Sequence, residues 1–156
     1  MNGVSRISVT EDVALITLRH ETSESQLIGK IFSEFSQEGI IIDMISQTAP
    51  QGSEMDVSFT TDSHQVVKVL TVISRIRDQY RQIKIMVSTG NCKLQLYGEE
   101  MREMTGVASR AIQSLLEQGI DIIMITTSEI DISFIVSPAN QLRATQVLER
   151  AFQVKA

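Results

Sequence analysis

The chain has 156 residues, 42% hydrophobic and only 4% aromatic, with no tryptophan, so it can bury one ordinary core or two small ones, built from Ile, Val, Leu and Met. Its formal net charge is −5 and neither half carries a basic block, which excludes the Lys/Arg field that a nucleic-acid partner requires. The opening MNGVSRISVTED lacks the apolar stretch of a signal peptide, no apolar run approaches the ~20 residues that cross a bilayer, and the single Cys92 excludes an internal disulfide; a cytoplasmic location is the expectation.

In chain order, SRISV (5–9) and VALITL (13–18) read as strands. Leu27, Ile28, Ile31, Phe32 and Phe35 then fall on one face of a helix, and Gly39 stands where a helix end favours a residue with positive φ. GIIIDMISQ and MDVSFT follow as a strand pair. The stretch 63–80 reads as a helix with Val66, Val69, Leu70, Ile73 and Ile76 inward. IKIMV (83–87) and CKLQLY (92–97) are further strands, and Cys92 in the latter fits a small buried hydrophobe. Val107, Ala108, Ala111, Ile112 and Leu115 mark a second helix of the first kind. Gly119 ends it, a strand pair runs to Val136, and Pro138 opens a last helix over 137–152.

This order repeats itself. Gly39, Ile40, Ile42, Met44 and Ile45 recur 80 residues later as Gly119, Ile120, Ile122, Met124 and Ile125; Asp56, Ser58 and Phe59 recur as Asp131, Ser133 and Phe134. The expected fold is α+β: two ferredoxin-like β-α-β-β-α-β units, each an antiparallel sheet with helices on one face. The first unit is expected over 11–88 and the second over 89–156. The second lacks a closing strand, and the spare N-terminal strand at 4–10 is the simplest way to complete it.

Chemistry-bearing motifs are absent. The two histidines, His20 and His64, have no short spacing to Cys or carboxylate that would suit a metal, and both read as solvated. No glycine-rich phosphate loop occurs. Glu99-Glu100 reads as a solvated loop, and Met101 and Met104 as packing. No cofactor, metal or catalytic residue is expected. The polar loops at equivalent places, RHETSESQL and YGEEMREMTGVA before helices, SQTAPQGSE and TTSE between strands, are where binding groups would sit.

The stretch MTGVASRAIQSLLEQGIDIIMITTSEIDISFIV resembles the second ACT domain of aspartate kinases, with its Pro-Gly-Val-Ala, Gly-Ile-Asn-Ile and Met-Ile-Ser-Thr-Ser-Glu-Ile segments. GIIIDMISQ and MDVSFT resemble the first ACT domain of that family, and NGVSRISVTEDVALITL resembles the segment joining the kinase to its regulatory part. The resemblance implies a feedback sensor of an end-product amino acid, threonine or lysine. It implies a homodimer paired through ACT domains, and a kinase catalytic subunit or domain as a further partner. The chain's length leaves no room for that catalytic domain.

Residue by residue, the resemblance places an effector against Ser23, Gln26 and Ile28 of the first loop and Gln47 of the first domain. From another unit it adds Asp121 and Ile122, where the family has Asn-Ile. Free amides near Ser23–Gln26 would take the α-carboxylate, and groups at Asp121 the α-ammonium. The first loop departs from the family's Asp-x-Pro-Gly-x-x-Ala: it reads Ser23-Glu24-Ser25-Gln26-Leu27-Ile28-Gly29, with Gln26 in place of glycine. A tandem ACT module that assembles partners without binding an effector is therefore the alternative. A small enzyme on the same sheet has only the versatility of the fold behind it.

Overall fold

The computed structural model describes residues 2–24 and 26–156. Its elements are β1 (Arg6–Glu21), α1 (Leu27–Gln37), β2 (Ile45–Gln47), β3 (Glu54–Asp62), α2 (Val66–Arg77), β4 (Lys84–Tyr97), α3 (Val107–Glu117), β5 (Met124–Thr127), β6 (Asp131–Val136) and α4 (Gln141–Phe152). They form two compact units, Asp12–Thr89 and the residues through Glu11 with Gly90–Ala156.

In the first unit the strands hydrogen-bond in the order β2-β3-β1-β4. β1 and β3 run antiparallel, in register from Val13 opposite Asp62 to Glu21 opposite Glu54. Strand alternation puts Ile16, Leu18, Val57 and Phe59 on one face, and α1 and α2 cover it with Leu27, Ile31, Phe35, Val69, Ile73 and Ile76. The rings of Phe32, Phe35 and Phe59 meet with centroids 5.3 to 5.6 Å apart.

In the second unit the order is β1-β4-β6-β5, with β6 antiparallel to both its neighbours. Leu94, Leu96, Phe134 and Val136 form the covered face beneath Val107, Ala111 and Leu115 of α3 and Ala144, Leu148 and Phe152 of α4. Val4 and Ile7 from the N-terminal stretch belong to this core. The internal repeat holds down to the hydrogen bonds. Gly39 has φ 72° and the next amide, Ile40 N–H, donates to Phe35 C=O at 2.9 Å; Gly119 has φ 68° and Ile120 N–H donates to Leu115 C=O at 3.1 Å.

Three expectations change. SRISV and VALITL are one strand, β1, and IKIMV and CKLQLY are one strand, β4. Each is crossed by a residue of positive φ, Asp12 at 53° and Gly90 at 71°, which reads as a turn in sequence although the strand continues through it. The expected strand pairs shrink to a three-residue β2 and a four-residue β5. The chain leaving each glycine must first cross from the helix layer to the sheet, and it is held on the way by Asp43 N–H to Thr60 C=O at 3.0 Å and Ile123 N–H to Ile135 C=O at 2.9 Å. On α2 the inward set is Val69, Val72, Ile73 and Ile76, while Leu70 is 40% exposed. Cys92 is buried on β4.

Candidate functional site

The first unit gathers its polar groups where β1 ends and the chain turns into α1. Arg19 leaves the uncovered face of β1 and grips Asp56 on β3 with two bonds, Nε to Oδ1 at 2.8 Å and Nη2 to Oδ2 at 3.0 Å. The Arg19 hydrogen bond, with its charge, holds the Asp56 carboxyl below its ordinary value of 3.8 against some desolvation, and the Arg19 guanidinium is correspondingly raised. Thr48 brackets the backbone of Asp56: its N–H donates to Asp56 C=O at 2.9 Å, and its Oγ1 accepts from Asp56 N–H at 3.2 Å. Thr22 N–H donates to Ser53 C=O at 2.7 Å, tying the loop to the β2–β3 turn.

Because a carboxyl depressed in the folded state favours folding only while ionised, the Arg19–Asp56 pair stabilises the protein above the unfolded carboxyl value and loses that contribution as pH falls through the lower folded value. Asp56→Asn is expected to be less stable than wild type at neutral pH and to lose less stability below about pH 4. Thermal melts of both proteins between neutral and acid pH measure this; parallel curves would remove the pair from the acid response.

Four of the six expected effector residues lie in the first unit. Ser23 is exposed in a single 3₁₀ turn, Thr22–Glu24. Gln26 is exposed just before α1 with φ −77°, and its side chain caps nothing. Ile28 packs, half-buried, against the core. Gln47 is exposed at the end of β2, opposite Val57, which in turn stands opposite Leu18. It therefore shares the helix-covered face at the sheet's open edge. α1 begins at Leu27, so the free amides of its first turn start there and not at Ser23–Gln26. Asp121 and Ile122 lie in the second unit, between α3 and β5; Asp121 is exposed and Ile122 packs half-buried against that unit's core.

His20 corrects the sequence reading. It is 2% exposed, not solvated, because it continues the inward series Ile16, Leu18 on β1. Its Nδ1 lies 2.9 Å from Glu21 C=O, and its Nε2 is buried with no partner. Glu24 Oε2, in the following turn, is likewise buried without a partner. Only the strand parity of His20 could have signalled this; nothing in the sequence signalled Glu24. Among the described residues no cluster of His, Cys, Asp or Glu could hold a metal.

The second unit has an open hollow of about 580 Å³ at the equivalent place, bounded by Met101, Met104, Gly106, Thr127, Glu129 and Ile132. Arg102 at its edge is already held by Glu99 at 3.4 Å and Glu129 at 3.1 Å.

Residues 94–152 match the ACT domain family model. Over 153 residues, 98% of its length, the chain is 29% identical to an aspartate kinase of Stutzerimonas stutzeri, and 28% identical over the same span to an aspartokinase of Pseudomonas aeruginosa. The chain resembles the regulatory region of aspartate kinases. It spans 37% of the length of these curated relatives. A crystal structure of aspartokinase alpha and beta subunits superposes with a TM-score of 0.82 at 29% identity, covering 96% of this chain and 99% of that one. The ligand-free regulatory subunit of aspartate kinase from Thermus thermophilus shares the fold, with a TM-score of 0.88 at 23% identity, 96% of this chain and 99% of that one. The chain thus aligns with only part of these longer relatives, and over nearly its whole length with an aspartokinase subunit. No helix among the described residues is long and apolar enough to cross a membrane.

Proposed function

We propose that the chain senses an end-product amino acid, threonine or lysine, and transmits its presence to an aspartate kinase catalytic domain or subunit in the cytoplasm. The observation that carries this is the similarity along 98% of the chain to a part of aspartate kinases whose isolated counterparts are called regulatory subunits. The working form is a homodimer joined through its ACT-like units, which would also cover the open edges at β2 and β5.

In this reading the effector lies against the first loop and Gln47 of one copy, with Asp121 and Ile122 contributed by a second copy. The α-carboxylate meets the amides of the first turn of α1 from Leu27, beside Ser23, Gln26 and Ile28, where the helix dipole favours negative charge. The exposed Asp121 carboxylate faces the α-ammonium, and Gln47 hydrogen-bonds the effector.

Calorimetric titration of wild type, Gln47→Ala and Asp121→Ala with threonine, lysine and methionine is the test. Wild type is expected to bind threonine or lysine. Gln47→Ala is expected to lose about 0.5–1.5 kcal/mol of binding and Asp121→Ala, which removes a charge partner, about 1.5–3 kcal/mol. If wild type binds none of the three, the chain is an assembly module, the reading that the altered first loop favours.

A further inference from the structure

We infer that Asn2 and Gly3 act as a strap on the second unit. Seated, they fix the loop that walls its hollow; lifted, they let that loop open. The inference does not depend on which amino acid, if any, the chain senses.

The N-terminal stretch is held in two ways. Val4 and Ile7 are buried in the second core, and Ser5 N–H donates to Tyr97 C=O at 2.8 Å. Ahead of them the anchoring is lighter. Regular strand begins only at Arg6. Asn2 is fastened by its side chain: Nδ2 donates to Phe152 C=O at the end of α4, and Oδ1 accepts from Val4 N–H at 3.0 Å. A segment held by side-chain bonds opens at lower cost than strands held by a ladder and a core. Asn2 and Gly3 can therefore lift while Val4 and Ile7 stay in place.

What they would release is specific. Gly3 has φ 82° and lies so close to α3 that a Cβ built on it would stand 2.7 Å from Val107 Cγ2 and 3.4 Å from Met104 Sδ. Its carbonyl crosses Gly98, the residue before the 3₁₀ turn Glu99–Glu103. That turn, with Met104 and Val107, bounds the hollow of about 580 Å³. A second hollow of about 490 Å³, bounded by residues 2–5 and 98–100, borders the same turn. The turn has few bonds of its own to hold its shape: Met101 N–H donates to Gly98 C=O at 3.1 Å, and Met104 N–H to Met101 C=O at 3.3 Å. A wall keeps its place where atoms back it and yields where they are missing. Open space borders this turn along both its halves, and the contact of Gly3 with Met104 and Val107 backs it. Coupling of this kind is a free energy shared by both partners, so whatever reshapes the hollow also loosens the strap.

Amide hydrogen exchange on the full chain tests the coupling in both directions. Asn2→Ala removes both side-chain bonds and leaves Val4 and Ile7 in the core. It is expected to speed exchange at Met101 and Met104 about tenfold and to leave the amides of β6 unchanged, which also shows that the unit is folded. Gly3→Ala, whose methyl cannot seat beside Val107, should act in the same way. From the other side, Met104→Ala is expected to speed exchange at Val4 and Ser5 at least about threefold, again with β6 unchanged. If Met101 and Met104 exchange as in wild type in the Asn2 variant, or if the rise spreads evenly into β6, there is no strap and the inference is overturned. Met104→Ala without effect at Val4 and Ser5 overturns it equally. Titration with amino acids reads none of these amides, so the sensor reading stands or falls separately.

Discussion

Deleting residues 1–10 is expected to unfold the second unit. The deletion removes Val4 and Ile7, 5% and 3% exposed, from a core that contains no other part of β1 among its fully buried residues. Full burial of each such side chain contributes about 1.5–3 kcal/mol, so these two alone supply about 3–6 kcal/mol. Backbone pairing is lost as well: Ser5 N–H donates to Tyr97 C=O at 2.8 Å, and β1 is the neighbour of β4 in this sheet. The Arg6 guanidinium 4.6 Å above the Tyr97 ring and the bond from Asn2 Nδ2 to Phe152 C=O go too. Set against the roughly 5–15 kcal/mol that holds a typical domain together, this loss is disabling, and it strips one edge of β4. Amide hydrogen exchange across Cys92–Tyr97 reads the outcome directly. Exchange there should become fast in the truncated chain; protection equal to that of the full chain would show that the N-terminal stretch does not support β4.

The same stretch shows what can be read from sequence and what cannot. Repetition gave the helices and their inward faces, because i, i+1, i+4 spacing and a glycine at the end are local signals: Leu27, Ile31 and Phe35 are buried, as are Val107, Ala111 and Leu115. Strand continuity was not legible. Asp12 and Gly90 look like turn residues, yet β1 and β4 pass through them. Whether a positive-φ residue ends a strand or only interrupts it depends on the partner strand, which local sequence does not contain. The irregular run from Ile40 to Met44 misled in the opposite way. Its β-branched residues favour a strand, but before pairing begins at Ile45 it is held by irregular bonds to Thr60 and Thr61, among them Thr61 Oγ1 to Ile41 C=O, Asp43 N–H to Thr60 C=O and Met44 N–H to Thr60 Oγ1.

The candidate site was legible where a motif carried it and not where burial did. Gln47 could be named because the flanking Asp-Met-Ile-x-Gln matches a pattern. In sequence His20 follows the strand VALITL, where a histidine is ordinarily solvated; two residues of further strand turn it inward. Glu24 has no sequence signal, since an acidic residue in a polar loop is ordinarily solvated. Only the folded chain, where His20 Nε2 and Glu24 Oε2 are buried without a partner, sets these two residues apart.

Replacing Gly98 by alanine is expected to be the most damaging single methyl in the protein, and the reason is contact, not conformation. Gly98 has φ −171°, extended backbone that any residue adopts. A Cβ there would stand 1.7 Å from Gly3 O, 2.8 Å from Gly3 C and 3.1 Å from Val4 Cα, all backbone atoms. Neither side can yield cheaply. Gly98 N–H is anchored to Ile130 C=O at 2.8 Å, and Gly3 has φ 82° with its own would-be Cβ 2.7 Å from Val107 Cγ2. The methyl must therefore push the N-terminal stretch off the sheet, the same stretch whose deletion is expected to unfold the unit. Overpacking of side chains costs about 1–3 kcal/mol, occasionally more, and backbone against backbone should exceed roughly 3 kcal/mol. Gly106→Ala provides the opposite case: φ is 85° but nothing beyond its own chain neighbours lies within 4 Å of the added methyl, so only left-handed strain of about 1–2 kcal/mol applies. Urea unfolding of the two variants should rank Gly98→Ala well below Gly106→Ala. The reverse order would mean that residues 2–5 do not cross Gly98 at close range, and the packing of the N-terminal stretch against β4 would have to be redrawn.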